Sequence, residues 1–343
     1  MGRLSSGCWA LLVGATSAVR FDIVPDTTGI DSLGSNLPTL YSFQESQLAS
    51  EQSNSYWAAS FVTASNDRQY AIMSQQMPTG TGQSIFQSSI LDLEDTSNYW
   101  LTAGLAPLQG NLTIKNGLLD IEVDGSAFKS ASSDSFSSLN TWGEYDTYAF
   151  NLTFDASSPV ILNGGVGRFR WGTGTTTQWS LPSCKTQGSF TINGTALEID
   201  PTRSLTWYDR QHGVGGPNNF TWFGLNFPGG IRASIWYSNT AEPSQQLRFA
   251  TIRAEDGLHL VRFKMTPGNA TTWTSPVTNT TYAQDWKLSF DNGDSLSIKS
   301  IRQDQEKGSG AGRFYSGVVE AEGSLFGQEK GFGFVDIVPK LSL

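Results

Sequence analysis

The stretch TWYDRQHGVGG, residues 206–216, has the pattern of a β-strand that runs into a glycine-rich turn. Successive side chains of a strand point to opposite faces of its sheet. The two faces predicted here carry Tyr208, Arg210 and His212 on one side and Trp207, Asp209 and Gln211 on the other. Three glycines among the last four residues then favour a turn. The stretch therefore predicts a strand with a strongly polar face.

Short runs of alternating apolar and polar residues continue along the chain and are interrupted by Gly, Asn or Asp, while no long segment has the period of a helix. Turns are predicted at KNG (115–117), NGT (193–195), PGG (228–230) and DNGD (291–294). We therefore predict an all-β fold of antiparallel barrels or sandwiches. A change in composition near residues 182–187 predicts a boundary between two β-domains, 22–190 and 191–343.

Composition narrows the classes of partner. The 343 residues carry a formal net charge of −9 and no basic run, which argues against nucleic acid and against an anionic membrane surface. No stretch approaches the roughly 18 consecutive apolar residues of a membrane-spanning helix. The 11 Trp, 10 Tyr and 20 Phe suit the walls of an apolar pocket. We expect a hydrophobic small molecule as the partner and predict no particular oligomeric state.

The N-terminus has the features of a signal peptide, predicted for residues 1–18: an early Arg3, an apolar run from Cys8 to Val13 and small residues from Ala15 to Ala18. The alternative is an ordinary first strand or a disordered start. Six N-x-[ST] sequons fit a secreted or secretory-pathway protein. They lie at Asn111, Asn151, Asn193, Asn219, Asn269 and Asn279.

The polar face of the opening stretch has groups for acid–base chemistry. Tyr208 and His212 are able to move a proton, Arg210 is able to hold a developing anion, and Asp209 would orient or neutralise a neighbouring group. The alternative is structural: Asp209 and Arg210 form a charge pair at a strand end, and His212 begins a turn.

Metal and cofactor motifs are lacking in the sequence. Two histidines far apart give no ligand spacing, and removal of Cys8 with the signal peptide would leave Cys184 alone. The glycines after His212 lack the lysine and the strand–loop–helix context of a phosphate-binding loop, and no G-x-S-x-G motif occurs. We expect no metal and no organic cofactor.

Several blocks together resemble a known superfamily. They are WYDRQHG (207–213), NFTWFGLNFPGG (219–230), YAQDWKL (282–288), FYSG (314–317), VEAEG (319–323) and GFGFVDIV (331–338). In this order they resemble the lipocalin-like carotenoid hydratases and AttH-type proteins, with fungal kievitone hydratase-like proteins nearest and fungal lipocalin-like Diels–Alderases more distant. The resemblance implies two tandem lipocalin-like β-barrel domains, an apolar ligand and no cofactor.

The resemblance also bears on individual residues. In such proteins the first block is close to D-H-Q-W-G, and its His and Trp are implicated in acid–base chemistry on an isoprenoid double bond. Arg210 and His212 occupy those two places here, which puts simple hydration in doubt. The late G-x-G-[FY]-x-[DE] block is present and makes Asp336 a second acidic candidate.

Three functions follow as hypotheses. The first is a cofactor-free Diels–Alder or hetero-Diels–Alder cyclase of fungal secondary metabolism, in which the pocket orients the reacting ends and Arg210, Tyr208 or His212 polarises a carbonyl. The second is a hydratase or dehydratase of a prenyl double bond, which would use Asp209, Asp336 and His212. The third is a non-catalytic carrier. The expected substrate-binding residues are Trp207, Trp222, Phe223, Trp236 and Tyr237.

Overall fold

The structure is a computed structural model, and it describes residues 19–27, 39–51, 53–109, 114–217, 219–240, 245–267, 271–308 and 314–339. The predicted signal peptide, residues 1–18, lies outside these ranges. Two of the sequon asparagines, Asn111 and Asn269, also lie outside them. The other four sequon asparagines are on the surface: Asn151, Asn193 and Asn279 are exposed, and Asn219 is half-buried.

Thirteen antiparallel strands form the first sheet, which curls into a half-barrel. They are β1 (Ser53–Ala64), β2 (Gln69–Pro78), β3 (Gln83–Asp92), β4 (Tyr99–Pro107), β5 (Ile114–Lys115), β6 (Leu118–Val123), β7 (Ser126–Ser130), β8 (Ser138–Glu144), β9 (Tyr148–Asp155), β10 (Ile161–Leu162), β11 (Arg168–Trp171), β12 (Gly174–Ile192) and β13 (Thr195–Val214). The main path runs β4-β3-β2-β1-β13-β12-β9-β8-β7-β6-β5, and β10 and β11 pair with β12. The long strands β12 and β13 therefore lie in the middle of the half-barrel.

The second sheet closes on itself. Its strands, together with the separate ribbon β18–β19, are β14 (Asn219–Asn226), β15 (Arg232–Thr240), β16 (Gln245–Ala254), β17 (Gly257–Pro267), β18 (Thr272–Thr274), β19 (Thr281–Ala283), β20 (Asp285–Phe290), β21 (Ser295–Ser300), β22 (Glu306–Lys307), β23 (Phe314–Leu325) and β24 (Gln328–Val338). The sheet order is β21-β20-β17-β16-β15-β14-β24-β23-β22, and pairing of β21 with β23 closes an eight-stranded barrel. The all-β prediction is confirmed.

Turn chemistry explains where these strands end. Asn116 and Gly117 have φ angles of 54° and 78°, and Asn193 and Gly194 have 49° and 80°. Positive φ at both central residues is the signature of the two-residue hairpin turn that matches the twist of a sheet. These Asn–Gly pairs therefore connect β5 to β6 and β12 to β13, as the sequence predicts.

The chain passes from one sheet to the other after Val214. The boundary predicted at residues 190 and 191 falls at the end of β12, which pairs with β13 along most of its length. Both strands belong to the half-barrel, and β14 begins the barrel at Asn219. The composition change near residues 182–187 marks two register shifts between β12 and β13 rather than a passage between sheets.

Two apolar regions position the site. One fills the barrel and includes Phe223, Trp286 and Val335. The other lies between the barrel and the half-barrel, where Trp57 and Trp222 meet edge-to-face with ring centroids 5.2 Å apart. Successive side chains of a strand point to opposite faces of its sheet. Polar residues two positions away from these aromatic side chains therefore face the same inter-sheet space.

A short helix lies on the other face of the half-barrel. Helix α1 (Phe43–Leu48) begins with a capping box, in which the Ser42 hydroxyl accepts from the Glu45 backbone N–H and the Glu45 carboxylate accepts from that of Ser42. No helix among the described residues is long and apolar enough to cross a membrane.

Candidate active site

A cavity of about 340 Å³ lies between the half-barrel and the barrel. Its aromatic lining comprises Trp57, Trp171, Phe220, Trp222, Trp236 and Phe314. Its polar lining includes Ser53, Asn54, Ser55, Gln75, Gln178, Gln211, Asp209 and Asp336. Aromatic walls with convergent polar groups are typical of a small-molecule site.

Asp209 reaches this cavity from the centre of β13. Strand pairing places it opposite Trp57 on β1 and opposite Ser180 on β12. Its carboxyl oxygens accept hydrogen bonds from Gln178 Nε2, Ser180 Oγ and, at 3.4 Å, Trp207 Nε1. All three donors are neutral, so they only partly offset the loss of water around the carboxylate. Burial raises the pKa of Asp209 to about 6.

Asp336 faces the cavity from the barrel. It lies on β24, opposite Trp222 on β14 and Ser316 on β23, and Ser316 Oγ donates to its Oδ1 at 2.5 Å. Burial, and to a smaller extent the charge of Asp209, raises the pKa of Asp336 to about 6, while the Ser316 hydrogen bond and the nearby Lys307 oppose this shift. Asp336 therefore differs from Asp209 in having a cationic neighbour.

Lys307 supplies that positive charge from a buried position. The side chain is 1% exposed, and its Nζ donates to the Ser316 backbone carbonyl at 2.7 Å. Burial lowers the pKa of Lys307 to about 7, and Asp336 opposes this shift. Ser316 thus contacts both members of the pair, Lys307 through its carbonyl and Asp336 through its hydroxyl.

Arg210 lies on the opposite face of β13 and does not line the cavity, contrary to the expectation that it faces the substrate. It is fully buried and donates to the carbonyls of Ser46, Ala49, Ser55 and Gln211 and to Asn54 Oδ1, at 2.7–3.3 Å. Its guanidinium also lies 4.1 Å from the ring centroid of Tyr56. These bonds attach the segment around α1 to the sheet.

Tyr208 and His212 share that face and contact the same segment. The Tyr208 hydroxyl donates to Gln47 Oε1 at 2.7 Å. His212 Nε2 is 2.8 Å from Ser46 Oγ, and its Nδ1 is 3.2 Å from Glu51 Oε1. Burial, and to a smaller extent the charge of Arg210, lowers the pKa of His212 to about 4, while Glu51 opposes this shift. The three residues predicted to form the reactive face are therefore placed to hold α1 rather than to meet a ligand in the cavity.

The predicted aromatic residues divide between the two apolar regions. Trp222 and Trp236 form a cross-strand pair and line the cavity, and Trp207 packs behind them against Trp222. Phe223 and Tyr237 follow them by one position and therefore point into the barrel. There Phe223 contacts Trp286 with a centroid distance of 5.2 Å, and Tyr237 packs under Arg248. Because side chains alternate between the two faces along β14 and β15, these two side chains do not reach the cavity.

Several residues of the site were not predicted from sequence. Gln178 and Ser180 lie on β12, and Ser316 and Lys307 lie at the start of β23 and on β22. Gln178 and Ser180 are two positions apart in TTTQWS, as residues on one polar face of a strand would be. Their pairing with β13, however, is a long-range contact that the local sequence does not show. Lys307 is in a short strand with no periodic pattern.

The described lining of the cavity does not have the character of a metal site. Within the ranges that the structure describes, no three His, Cys, Asp or Glu side chains converge to hold a metal ion. Cys184 is buried in the half-barrel with a free thiol. The chemistry available on the cavity walls is that of two carboxyl groups, amides, hydroxyls and indoles.

Comparison with known proteins supports a shared fold and an enzymatic role. The family described as AttH-like matches residues 44–338. Kievitone hydratase of Fusarium solani subsp. phaseoli is 34% identical over 312 residues, covering 88% of this chain and 87% of that protein. Dehydratase asqC of Emericella nidulans is 32% identical over 343 residues, covering 94% of this chain and 96% of that protein.

Solved structures agree with these sequence matches. The crystal structure of kievitone hydratase from Nectria haematococca superposes with a TM-score of 0.84 at 32% identity, covering 93% of this chain and 98% of that one. A putative AttH from Nitrosomonas europaea has a TM-score of 0.74 at 17% identity and covers 90% of this chain and 99% of that one. The second match shows a shared fold alone.

Proposed function

This chain belongs to the AttH-like family, and from that premise we propose that it is a hydro-lyase acting on a carbon–carbon double bond of an apolar small molecule. Two relatives that cover most of the chain are named a hydratase and a dehydratase. The observation that carries the proposal is the pair Asp209 and Asp336, two carboxyl groups with pKa values of about 6 in one aromatic cavity. Hydration and dehydration both need an acid and a base near the same bond.

The surroundings of the two carboxyl groups assign the roles. Burial favours the protonated form of Asp209, and its three neutral hydrogen-bond donors only partly offset this effect, so Asp209 serves as the acid. Asp336 has Lys307 near it, so its ionised form is favoured and it serves as the base. Two interacting carboxyl groups titrate in separate steps, which gives a pH range in which one is protonated and the other is not.

In the hydration direction, Asp209 gives its proton to one alkene carbon and leaves a carbocation at the other. Aromatic side chains of the lining, Trp222 among them, stabilise that cation. Asp336 removes a proton from the water whose oxygen bonds to the cation. The product is the alcohol, with one water added and both electrons of the π-bond used in the new C–H bond. A proton passing from Asp336 to Asp209 restores the starting state, and dehydration is the reverse.

Water addition is preferred here over the cyclisation expected first from sequence. That hypothesis relied on Arg210, Tyr208 or His212 to polarise a carbonyl, and these side chains contact the α1 segment instead. A carrier would need the pocket but no pair of carboxyl groups with raised pKa values.

Mass spectrometry distinguishes the three functions. The purified protein is incubated in oxygen-18-labelled water with prenylated phenols, beginning with kievitone, and Asp209→Asn serves as the matched inactive variant. We expect a product heavier by one labelled water with the wild type and none with the variant. A product of unchanged mass but new retention time would favour cyclisation, and a ligand that is bound and recovered unaltered would favour a carrier.

A further inference from the structure

Four cavity-lining side chains carry a buried polar atom with no hydrogen-bond partner among the residues that the structure describes. These atoms are Trp57 Nε1, Trp236 Nε1, Gln178 Oε1 and Gln211 Nε2. Buried polar groups in folded proteins are almost always paired, and each exception needs an explanation. Their occurrence together on the walls of one cavity points to a ligand as the missing partner.

The two indole groups determine which hydrogen-bonding role a ligand would have to supply. An indole N–H is a donor and never an acceptor, so its orientation leaves no ambiguity. Trp57 and Trp236 are each 3% exposed, and they belong to different sheets, Trp57 to β1 of the half-barrel and Trp236 to β15 of the barrel. A bound molecule with carbonyl, hydroxyl or ether oxygens would therefore supply an acceptor for one donor on each wall.

Close to Asp209, Gln178 has an unpaired acceptor, which would need a hydrogen-bond donor from the ligand. Its Nε2 donates to the Asp209 carboxyl group, which fixes the amide orientation and leaves Oε1 as an unpaired acceptor. Gln211 is its cross-strand neighbour on β13. Near Asp209 the lining therefore offers an acceptor for a ligand hydroxyl, in addition to the indole N–H donor of Trp57, which lies opposite Asp209.

We propose that Trp57, Trp236 and Gln178 are specificity-determining residues that select an oxygenated apolar substrate over a pure hydrocarbon of the same shape. A bound hydrocarbon would leave these polar groups unpaired, and the complex would bear their full desolvation cost. Such sites therefore discriminate strongly against ligands that lack the matching polar group. The inference rests on the proposed function in taking this cavity as the substrate site.

Trp222 provides a matched control on the same wall. It also lines the cavity and pairs across the strands with Trp236, but its Nε1 donates to Ser234 Oγ at 2.8 Å. Replacing any of these tryptophans by Phe removes the N–H and part of the ring. The loss of a donor to the ligand occurs only in Trp57→Phe and Trp236→Phe.

The test compares the binding of benzophenone and diphenylmethane, which differ by a carbonyl in place of a methylene group, using calorimetry or quenching of tryptophan fluorescence. We expect the wild type to bind benzophenone about fivefold more tightly, as one net hydrogen bond implies, although diphenylmethane is the more hydrophobic. Trp57→Phe or Trp236→Phe should bring the ratio of the two dissociation constants towards one. Trp222→Phe should weaken both ligands alike and preserve the ratio.

The proposal is overturned if the wild type binds diphenylmethane as tightly as benzophenone. It is also overturned if folded Trp57→Phe and Trp236→Phe both retain the wild-type ratio, because the N–H groups would then be satisfied within the protein, for example by a ring face. Neither probe has an alkene that water can add to. A positive binding result therefore stands even if the proposed hydro-lyase activity fails, and the reverse also holds.

Discussion

Asp336 on the barrel and Asp209 on the half-barrel line one cavity and interact electrostatically: in addition to the effect of burial, the charge of Asp209 raises the pKa of Asp336. The two carboxyl groups lie on different sheets. The acid–base pair therefore exists only when the two sheets are packed together.

Removing the acid should stabilise the protein while it abolishes turnover. Asp209 has a folded pKa of about 6 against about 4 in an unfolded chain, so its contribution to stability is present below pH 4 and is lost as pH rises through 6. Two units correspond to about 3 kcal/mol as an upper bound. Asp209→Asn should therefore be about 1–3 kcal/mol more stable than the wild type at pH 8 and about equal to it at pH 4.

Urea titrations at the two pH values measure this difference in the free energy of unfolding, and a rate assay measures the loss of activity, expected to be about 10²–10⁴-fold. Glu329→Gln, an exposed carboxylate on β24, is the control for a change of charge alone. If Asp209→Asn is no more stable than the wild type at pH 8, Asp209 is not a costly buried carboxylate.

The rate should have a bell-shaped dependence on pH with a maximum near pH 6. Asp209 must be protonated, so the rate falls at higher pH, and Asp336 must be ionised, so the rate falls at lower pH. Initial rates at saturating and at low substrate from pH 4 to 9 provide the profile. A rate that stays constant from pH 5 to 8 would contradict the assignment of an acid and a base to this pair.

Replacing Lys307 should move the acidic side of that profile. The positive charge of Lys307 lowers the pKa of Asp336, so its loss raises that pKa and the acidic limb should shift to higher pH by roughly one unit. The experiment compares Lys307→Met with Lys299→Met, an exposed lysine on β21. If folded Lys307→Met has the acidic limb of the wild type, Lys307 does not tune the base.

Arg210→Ala should destabilise the protein by about 3–5 kcal/mol, because several buried carbonyls lose their donor. The sequence instead suggests that Arg210 has the role of holding a developing anion. A melting curve and the specific activity of the folded fraction separate the two roles. Wild-type stability with activity lost would restore Arg210 to a catalytic role.

Passage through the secretory pathway remains a prediction. Expression in a secreting yeast, with and without endoglycosidase, should show glycans on the exposed sequons Asn151, Asn193 and Asn279, and an N-terminus lacking residues 1–18. A band that enzyme treatment does not shift, with Met1 intact in secreted protein, would argue for another location.

The fold was largely predictable because it depends on local signals, and the site was only partly so. Alternation and Asn–Gly turns determine the strands of both sheets, and they also show that Trp222 and Phe223, as neighbours on a strand, point to opposite faces. The face of β13 that meets the ligand is the one that no other described part of the chain covers. The face of Arg210 has more titratable side chains, but α1 packs there, and the face of Asp209 is left to the cavity.

Long-range pairing accounts for the residues that sequence reasoning missed. Ser180 and Gln178 acquire a role because β12 pairs with β13, and Lys307 because it meets Ser316, which in turn bonds Asp336. None of these residues has a local motif. Asp336 was found because its glycine-rich block matches a family pattern.

The position of β1 beside β13 has a consequence for synthesis of the chain. Ser55 accepts a hydrogen bond from Arg210, 155 positions further along. At the usual elongation rates, a ribosome needs about ten seconds or more to cover that distance. During this time one edge of β1 has no native partner, and a nascent chain with an open strand edge is prone to aggregate. Chaperone supply during translation, rather than the final stability of the protein, should therefore limit its yield in a heterologous host.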